Sequence, residues 1–313
     1  MYNKWIKNSV SFVALTGFTI EQFKELLPYF EDAHQKYFNR YELGDKKRKF
    51  VINYTIYSNS PLPTVKDRLA FILSYKKLNP IQEQQAAMFN MTQKQCNQFI
   101  HSLTAVLEQS LEDAEVMPCT TEKELARKLT KEGEIILMHD GTEREIPRPI
   151  DDEKQKENYS GKKKKHTLKN GIIATMTCYI LFVGATVNGS THDKKIADNQ
   201  YGKALSESIA KIILYQDTGF QGFTPKGVEI IQPFKKPKGI DLTDEQKKIN
   251  RNISSIRVRV EHAIGSAKRY RIVKDECRLR KNNYPEKIFK ICAALHNFRI
   301  KLKPFNYPVI KLT

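Results

Sequence analysis

EIILMHD, residues 134–140, decides how this chain is read: four consecutive apolar side chains, then a histidine and an acid, with Gly141 next. A short apolar run bounded by turn residues reads as a buried strand, and Gly141 reads as the turn that closes it. An aspartate at the end of a buried strand is costly to desolvate unless something uses or neutralises it. The C-terminal ends of strands in α/β sheets are where ligands bind. IILYQD, residues 212–217, repeats the arrangement before a short glycine-containing turn. If these two strands are neighbours, Asp140 and Asp217 lie side by side, and like charges that close call for a divalent cation.

The elements around this pair point to a mixed α/β sheet. GIIATMTCYILFVGATV (171–187) is slightly short for a bilayer span and carries three threonines, so it reads as two buried strands joined near Cys178 and Tyr179. A helix is expected over 197–212, a strand over 228–232, and a long helix over 243–269. That last helix contains RVRVEHAIGSAKRYRI (257–272), where Glu261 is the only acid among five arginines and lysines. Arg257, Glu261, Ile264 and Gly265, and Lys268 fall close to one helical stripe. The stripe reads either as a third metal-binding acid flanked by phosphate-gripping cations or as a salt-bridged helix face.

Composition narrows the partners. The chain has 313 residues, 53 Lys and Arg against 35 Asp and Glu, and a net charge of +18. Residues 1–115 hold 14 basic and 12 acidic side chains, so almost all of the excess lies in 116–313. A basic surface of this size suits a polyanion, nucleic acid being the commoner partner and a membrane surface the rarer one. The five cysteines are scattered, odd in number and never spaced Cys-x-x-Cys, which argues against a disulfide framework and a zinc site and fits a reducing cytoplasm. The N-terminus MYNKWIKNSV lacks a continuous apolar core, so no signal peptide is expected.

Between 62 and 111 the pattern gives three helices. Pro63 and Thr64 open the first, Asn79-Pro80 ends it, residues 81–89 form a second, and Thr92 caps a third that runs to about residue 111. A short helix, a tight turn and a helix with a polar start is the layout of a helix-turn-helix, which would present Gln93, Lys94, Gln95 and Asn97 to base edges in the major groove. A plain helical hairpin within a bundle has the same local pattern. The KKRK run at 46–49 reads as a solvated loop or a DNA contact.

These residues carry a resemblance. HDGTE, RP-x-D-x-E-K-Q-K-x-x-YSGKKKKHTLKN, GSTHD, QDTGFQG, KKPKG-x-x-LT-x-EQK-x-x-N and R-x-x-x-EHAIGSAKRYRI, in that order across 134–281, resemble the DDE transposases of the insertion-sequence-five superfamily, bacterial relatives of the Harbinger-type transposases. Residues 62–111 resemble the helix-turn-helix that precedes the catalytic domain in that family. About two thirds of the chain is covered. The resemblance implies an N-terminal helical domain over 1–115 and a ribonuclease-H-like catalytic domain over 116–313, a mixed sheet flanked by helices. It implies that Asp140, Asp217 and Glu261 bind two Mg²⁺ ions, with Mn²⁺ able to substitute. It also implies cleavage and strand transfer on double-stranded DNA, both transposon ends and target, by a homodimer in the synaptic complex. The setting would be the bacterial cytoplasm at the nucleoid, with no membrane partner. The gaps of 77 and 44 residues between these acids leave no room for a large domain inserted before the glutamate. The family signature of tyrosine, arginine, glutamate and lysine is matched at Arg257, Glu261 and Lys268, but its tyrosine position holds Ser254.

Several positions compete. Asp193, in GSTHD, is the rival for the middle acid, although it follows a polar turn and reads better as a helix N-cap or supporting contact. Asp198, Asp151, Asp152 and Glu153 read as solvated. His139 and His192 each precede a key aspartate and read as hydrogen-bond partners rather than ligands, and His262 falls on another side of its helix from Glu261. Lys163, Lys164 and His166, within the basic run 162–166, and Lys268, Arg269, Arg271 and Arg257 are the expected phosphate contacts. Two other readings remain at this stage: a DNA-binding protein descended from such an enzyme that performs no chemistry, and a nuclease without strand transfer.

Overall fold

A computed structural model of the chain describes residues 1–130, 132–237, 239, 241–278 and 284–307. Six helices come first: α1 (Tyr2–Trp5), α2 (Ser9–Thr16), α3 (Ile20–Arg40), α4 (Val65–Leu78), α5 (Gln82–Met88) and α6 (Gln93–Asp113). A short α7 (Glu122–Lys128) precedes β1 (Glu134–Glu145), α8 (Asp152–Asn158), β2 (Tyr159–Ser160), β3 (Lys165–Thr175), β4 (Ile180–Val183) and β5 (Val187–Asn188). Next come α9 (Asp193–Gln200), α10 (Gly202–Ser206), β6 (Lys211–Tyr215) and β7 (Val228–Ile231), then α11 (Asp244–Ala267), α12 (Arg271–Lys274) and α13 (Tyr284–Leu302). Two compact units result: Met1–Met117 with Lys268–Asp275, and Pro118–Ala267 with Glu276–Thr313.

In the first unit, short-range chemistry sets the helix ends. Thr19 and Thr92 form reciprocal capping boxes with Gln22 and Gln95, satisfying the first free N–H groups of α3 and α6. Asn79 and Asn90 take left-handed backbone (φ +51° each) where α4 and α5 give way to the next element, a conformation asparagine tolerates better than most residues. Leu69, Ala70, Phe71, Ile72 and Leu73 are all fully buried along α4, which packs against α2, α3 and α6. The three helices expected over 62–111 are α4, α5 and α6.

The second unit is a mixed sheet in the order β2-β3-β1-β6-β7, with β4 and β5 also pairing with β3. β1 is antiparallel to β3 and parallel to β6, and β6 is parallel to β7. Leu137, Ile173, Ile212 and Leu214 share a buried cluster with Leu125 of α7, Ala197 of α9 and Leu205 of α10. Strand side chains alternate faces, so Met138 and Ile213 point away from that cluster. α11 packs against β1, β3 and β6, and α13 against α11 and β4.

Three expectations are corrected. β1 does not end at Asp140: it continues to Glu145, because β3 is long enough to keep pairing through Thr142↔Asn170 and Glu145↔Thr167. Gly141 is therefore an in-strand residue opposite Gly171, not a turn. The helix expected over 197–212 is two short helices, α9 and α10, separated at Tyr201 (φ −153°), and Ile212 already belongs to β6 because its β-branched run pairs with β1. α11 stops at Ala267 and the chain is extended at Tyr270 (ψ 109°), so Lys268 lies past the helical stripe that carries Arg257 and Glu261.

Candidate active site

The register of two parallel strands brings the first two acids together. Met138 of β1 faces Tyr215 of β6 at the last pair of their ladder, and Asp140 and Asp217 each lie two residues beyond. Asp217 then leaves the sheet as the N-cap of a 3₁₀ turn, Thr218–Phe220, its Oδ1 accepting from the Thr218 N–H at 2.7 Å. The Gln232 side chain holds the Asp217 carbonyl at 2.7 Å. Beneath this turn the buried His139 ring lies against Phe220, centroids 3.8 Å apart, and bonds to the Tyr201 hydroxyl (2.8 Å) and to the Gln216 side chain (3.2 Å). Burial pushes His139 down to about 3. It stays neutral and packs the floor.

Glu261 comes from the helix. Arg257, one turn earlier on α11 and buried, places Nη2 at 3.7 Å from Asp217 Oδ2 and 3.9 Å from Glu261 Oε1. One guanidinium thus lies between the second and third acids. Burial is also the main cause that pushes the Asp140 carboxyl up to about 6; the Gly141 N–H and Arg257 oppose it, while the charges of Asp193 and Glu261 add to it.

Of the two expectations for Asp193, N-cap or supporting contact, the first does not hold, since His192 is the N-cap of α9, without a side-chain cap bond. Asp193 is the first residue of α9, and its Oδ1 pairs at 3.2 Å with the buried Lys169 amine on β3. Lys169 also donates to the Thr191 carbonyl (3.0 Å) and lies 3.7 Å from Glu143. A Cβ at Gly141 would come within 2.6 Å of Asp193 Oδ1, and one at Gly219 within 3.3 Å of Oδ2. A side chain at position 141 would therefore have to displace the Asp193 carboxylate where α9 approaches β1. Sequence reasoning missed Lys169 and Glu143; the one signal was a lysine set at the start of the buried run of β3. Asp140, Glu143, Asp193 and Asp217 line one cleft of about 430 Å³ together with Tyr159, Ser160, Lys162 and Lys169.

The expected DNA contacts divide. Gln93, Lys94 and Gln95 are exposed and Asn97 half-buried at the start of α6, with the Gln95 amide oxygen already committed to the capping box and Gln93 bonded to Gln82. Lys163 and Lys164 are exposed in the turn between β2 and β3, where Lys164 has φ +56°, and His166 is half-buried on β3. Lys268, Arg269 and Arg271 group with the first unit, where the Arg269 carbonyl accepts from Lys77 (3.0 Å) and Arg271 pairs with Asp275 (3.0 Å). Asp198 is exposed and paired with Lys194, Asp151 caps α8, Asp152 and Glu153 are exposed, and His262 bonds to Tyr307. All five cysteines are buried free thiols.

Asp140, Asp217 and Glu261 offer only hard carboxylate oxygens, the donor set of Mg²⁺ or Mn²⁺ rather than a soft metal. Among the described residues no three His, Cys, Asp or Glu side chains are gathered closely enough to hold an ion as they stand. Asp217 and Glu261 flank Arg257 rather than each other. Burial is the main cause that raises the Asp140 carboxyl, with the charges of Asp193 and Glu261 adding to it, and a bound cation would offset both.

The chain thus sets Asp140 and Asp217 near the ends of paired parallel strands, with Glu261 on a helix packed against the same sheet. Residues 139–297 match the family model described as DDE superfamily endonuclease, and the chain belongs to that family. It is 33% identical over 182 residues to the probable transposase for insertion sequence element IS702 of Microchaete diplosiphon, a match covering 58% of this chain and 62% of that relative. No solved structure matches significantly. Among the described residues no helix is long and apolar enough to cross a membrane.

Proposed function

We propose that this chain is the transposase of an insertion sequence of the insertion-sequence-five superfamily, acting at the nucleoid on double-stranded DNA. Residues 1–115 would bind the terminal inverted repeats through a helix-turn-helix formed by α5 and α6, and residues 116–313 would form a ribonuclease-H-like catalytic domain. Asp140, Asp217 and Glu261 would hold two Mg²⁺ ions, which Mn²⁺ could replace. The observation that supports the reading is the placement of these acids: Asp140 and Asp217 each lie two residues beyond the last β1–β6 pair, and Arg257 comes within 3.7 Å of Asp217 and 3.9 Å of Glu261.

When bound, the ions would polarise a phosphodiester and stabilise the attacking and leaving oxygens. The chain's own residues do the rest. The 3₁₀ turn after Asp217 and the His139–Gln216 link fix where that carboxylate starts, and Lys169 with Asp193 holds α9 against Gly141. Lys163, Lys164 and His166 lie on the hairpin bordering the cleft and would bind phosphates, and Lys268, Arg269 and Arg271 would also bind DNA phosphates. No covalent protein–DNA link is needed, so no serine or tyrosine nucleophile is called for. A homodimer would allow two ends to be cut in concert. Incubating the protein with Mg²⁺ or Mn²⁺ and DNA carrying the flanking inverted repeats tests this: nicks with free 3′-hydroxyls that then join target DNA support it. Cleavage without joining would leave a nuclease, and binding with no chemistry would leave a domesticated DNA-binding protein.

A further inference from the structure

A second cavity lies beside the acid cleft. It has a volume of about 550 Å³ and is lined by Arg148, Gln155, Lys156, Tyr159 and His166. Tyr159 lines both cavities and is 41% exposed, so its ring forms part of a shared wall. The pairing of β2 with β3 sets Tyr159 directly opposite His166, and the two rings meet edge to face, centroids 5.7 Å apart. Arg148 is oriented by its Nε–H donating to the Gln155 side chain at 2.9 Å. The lining carries two cations, an amide and two rings, with no acid. It is thus opposite in charge to the cleft next to it.

We infer that this cavity is a binding pocket for a single unpaired nucleotide of the DNA strand that enters the acid cleft. The inference rests on the proposed reading of that cleft as a DNA-cutting site. Its volume is in the range of small-ligand sites and admits a base with its sugar. A duplex keeps its bases stacked inside, so an exposed ring in the wall of a pocket suits a base that has left the stack. Tyr159 supplies the stacking face, and stacking on an aromatic ring is sequence-tolerant because every base has a π-face. Arg148 and Lys156 take the flanking phosphates, while Gln155, bonded to Arg148, Ile150 and Asp152, holds the wall of the pocket in place. A base seated here would place the next phosphate toward the cleft on the far side of Tyr159.

The test uses the full chain in EDTA, so that no metal-dependent cutting intervenes. The probe is a fifteen-nucleotide oligothymidylate carrying one 5-iodouracil, crosslinked with near-ultraviolet light and mapped by peptide mass spectrometry. The adduct is expected on Tyr159 or His166. Tyr159→Phe should retain capture of the iodouracil at His166, and Tyr159→Ala should lower affinity, read by fluorescence anisotropy, roughly tenfold or more. A perfect duplex of the same length should compete for the adduct less well than unlabelled oligothymidylate. Adducts confined to other segments, an unchanged affinity in Tyr159→Ala with its fold intact by circular dichroism, or equal competition by duplex would overturn the pocket. Capture is read without metal, so it can succeed even if Mg²⁺-dependent cleavage fails, and the two readings fall separately.

Discussion

Asp140 is the acid whose burial has the clearest measurable consequence. Its carboxyl is pushed up to about 6 from an ordinary 3.8, with burial the largest cause. At about 1.4 kcal/mol per pH unit, ionising it in the folded chain costs about 3 kcal/mol without a cation. For an acid with a raised folded pKa, the unfolded chain gives up its proton first, so stability falls as pH rises from 3.8 to 6 and the penalty is complete above that. Asp140→Asn removes the charge while keeping the shape. Urea unfolding in EDTA should therefore find the variant more stable than the wild type by roughly 2–3 kcal/mol at pH 8, with the advantage gone near pH 3.5. Mg²⁺ should stabilise the wild type at pH 8 more than the variant, because a cation that binds only the folded state raises its stability. A variant that is less stable at pH 8, or an advantage that does not change with pH, would refute the reasoning that Asp140 is held as an uncompensated acid.

Three further outcomes follow from named contacts. Gly141→Ala should destabilise by about 1–3 kcal/mol through its clash with Asp193, yet be nearly neutral in an Asp193→Ala background; costs that add within roughly 0.5 kcal/mol would deny the contact. Arg257→Met should push the upper end of the Asp140 pH window above 6, since the guanidinium opposes that rise; an unmoved window in pH-dependent unfolding would uncouple the two. Thr92→Ala should cost about 1 kcal/mol through the lost cap of α6 and weaken binding to end-containing DNA, and unchanged binding would argue that α6 does not read it.

The parts of this arrangement that sequence reveals are the local ones. Ile135, Leu137, Ile212 and Leu214 mark strands because buried apolar runs have few alternatives, and Thr64 and Thr92 mark helix starts because capping is decided within four residues. The extension of β1 past Asp140 was not legible, since GTERE is polar and is held in the sheet only by β3. Gly141 was misread for the same reason: its lack of a side chain serves Asp193, 52 positions away, rather than a turn. Asp140 and Asp217 could be suspected of meeting from their strand contexts, and Arg257 could be paired with Glu261 from helical spacing. Nothing local tied Lys169 to Asp193, or set Tyr159 against His166 across the β2–β3 turn.

The central claim, that Asp140, Asp217 and Glu261 together form one metal-dependent cutting site, meets its most direct test in four single alanine variants assayed for Mg²⁺-dependent cleavage of end-containing DNA. Asp140→Ala, Asp217→Ala and Glu261→Ala should each lose roughly a hundredfold or more in rate, while Asp193→Ala retains cleavage at a reduced level. Unimpaired cleavage by Asp217→Ala, with cleavage abolished in Asp193→Ala, would contradict the claim and move the middle acid to α9.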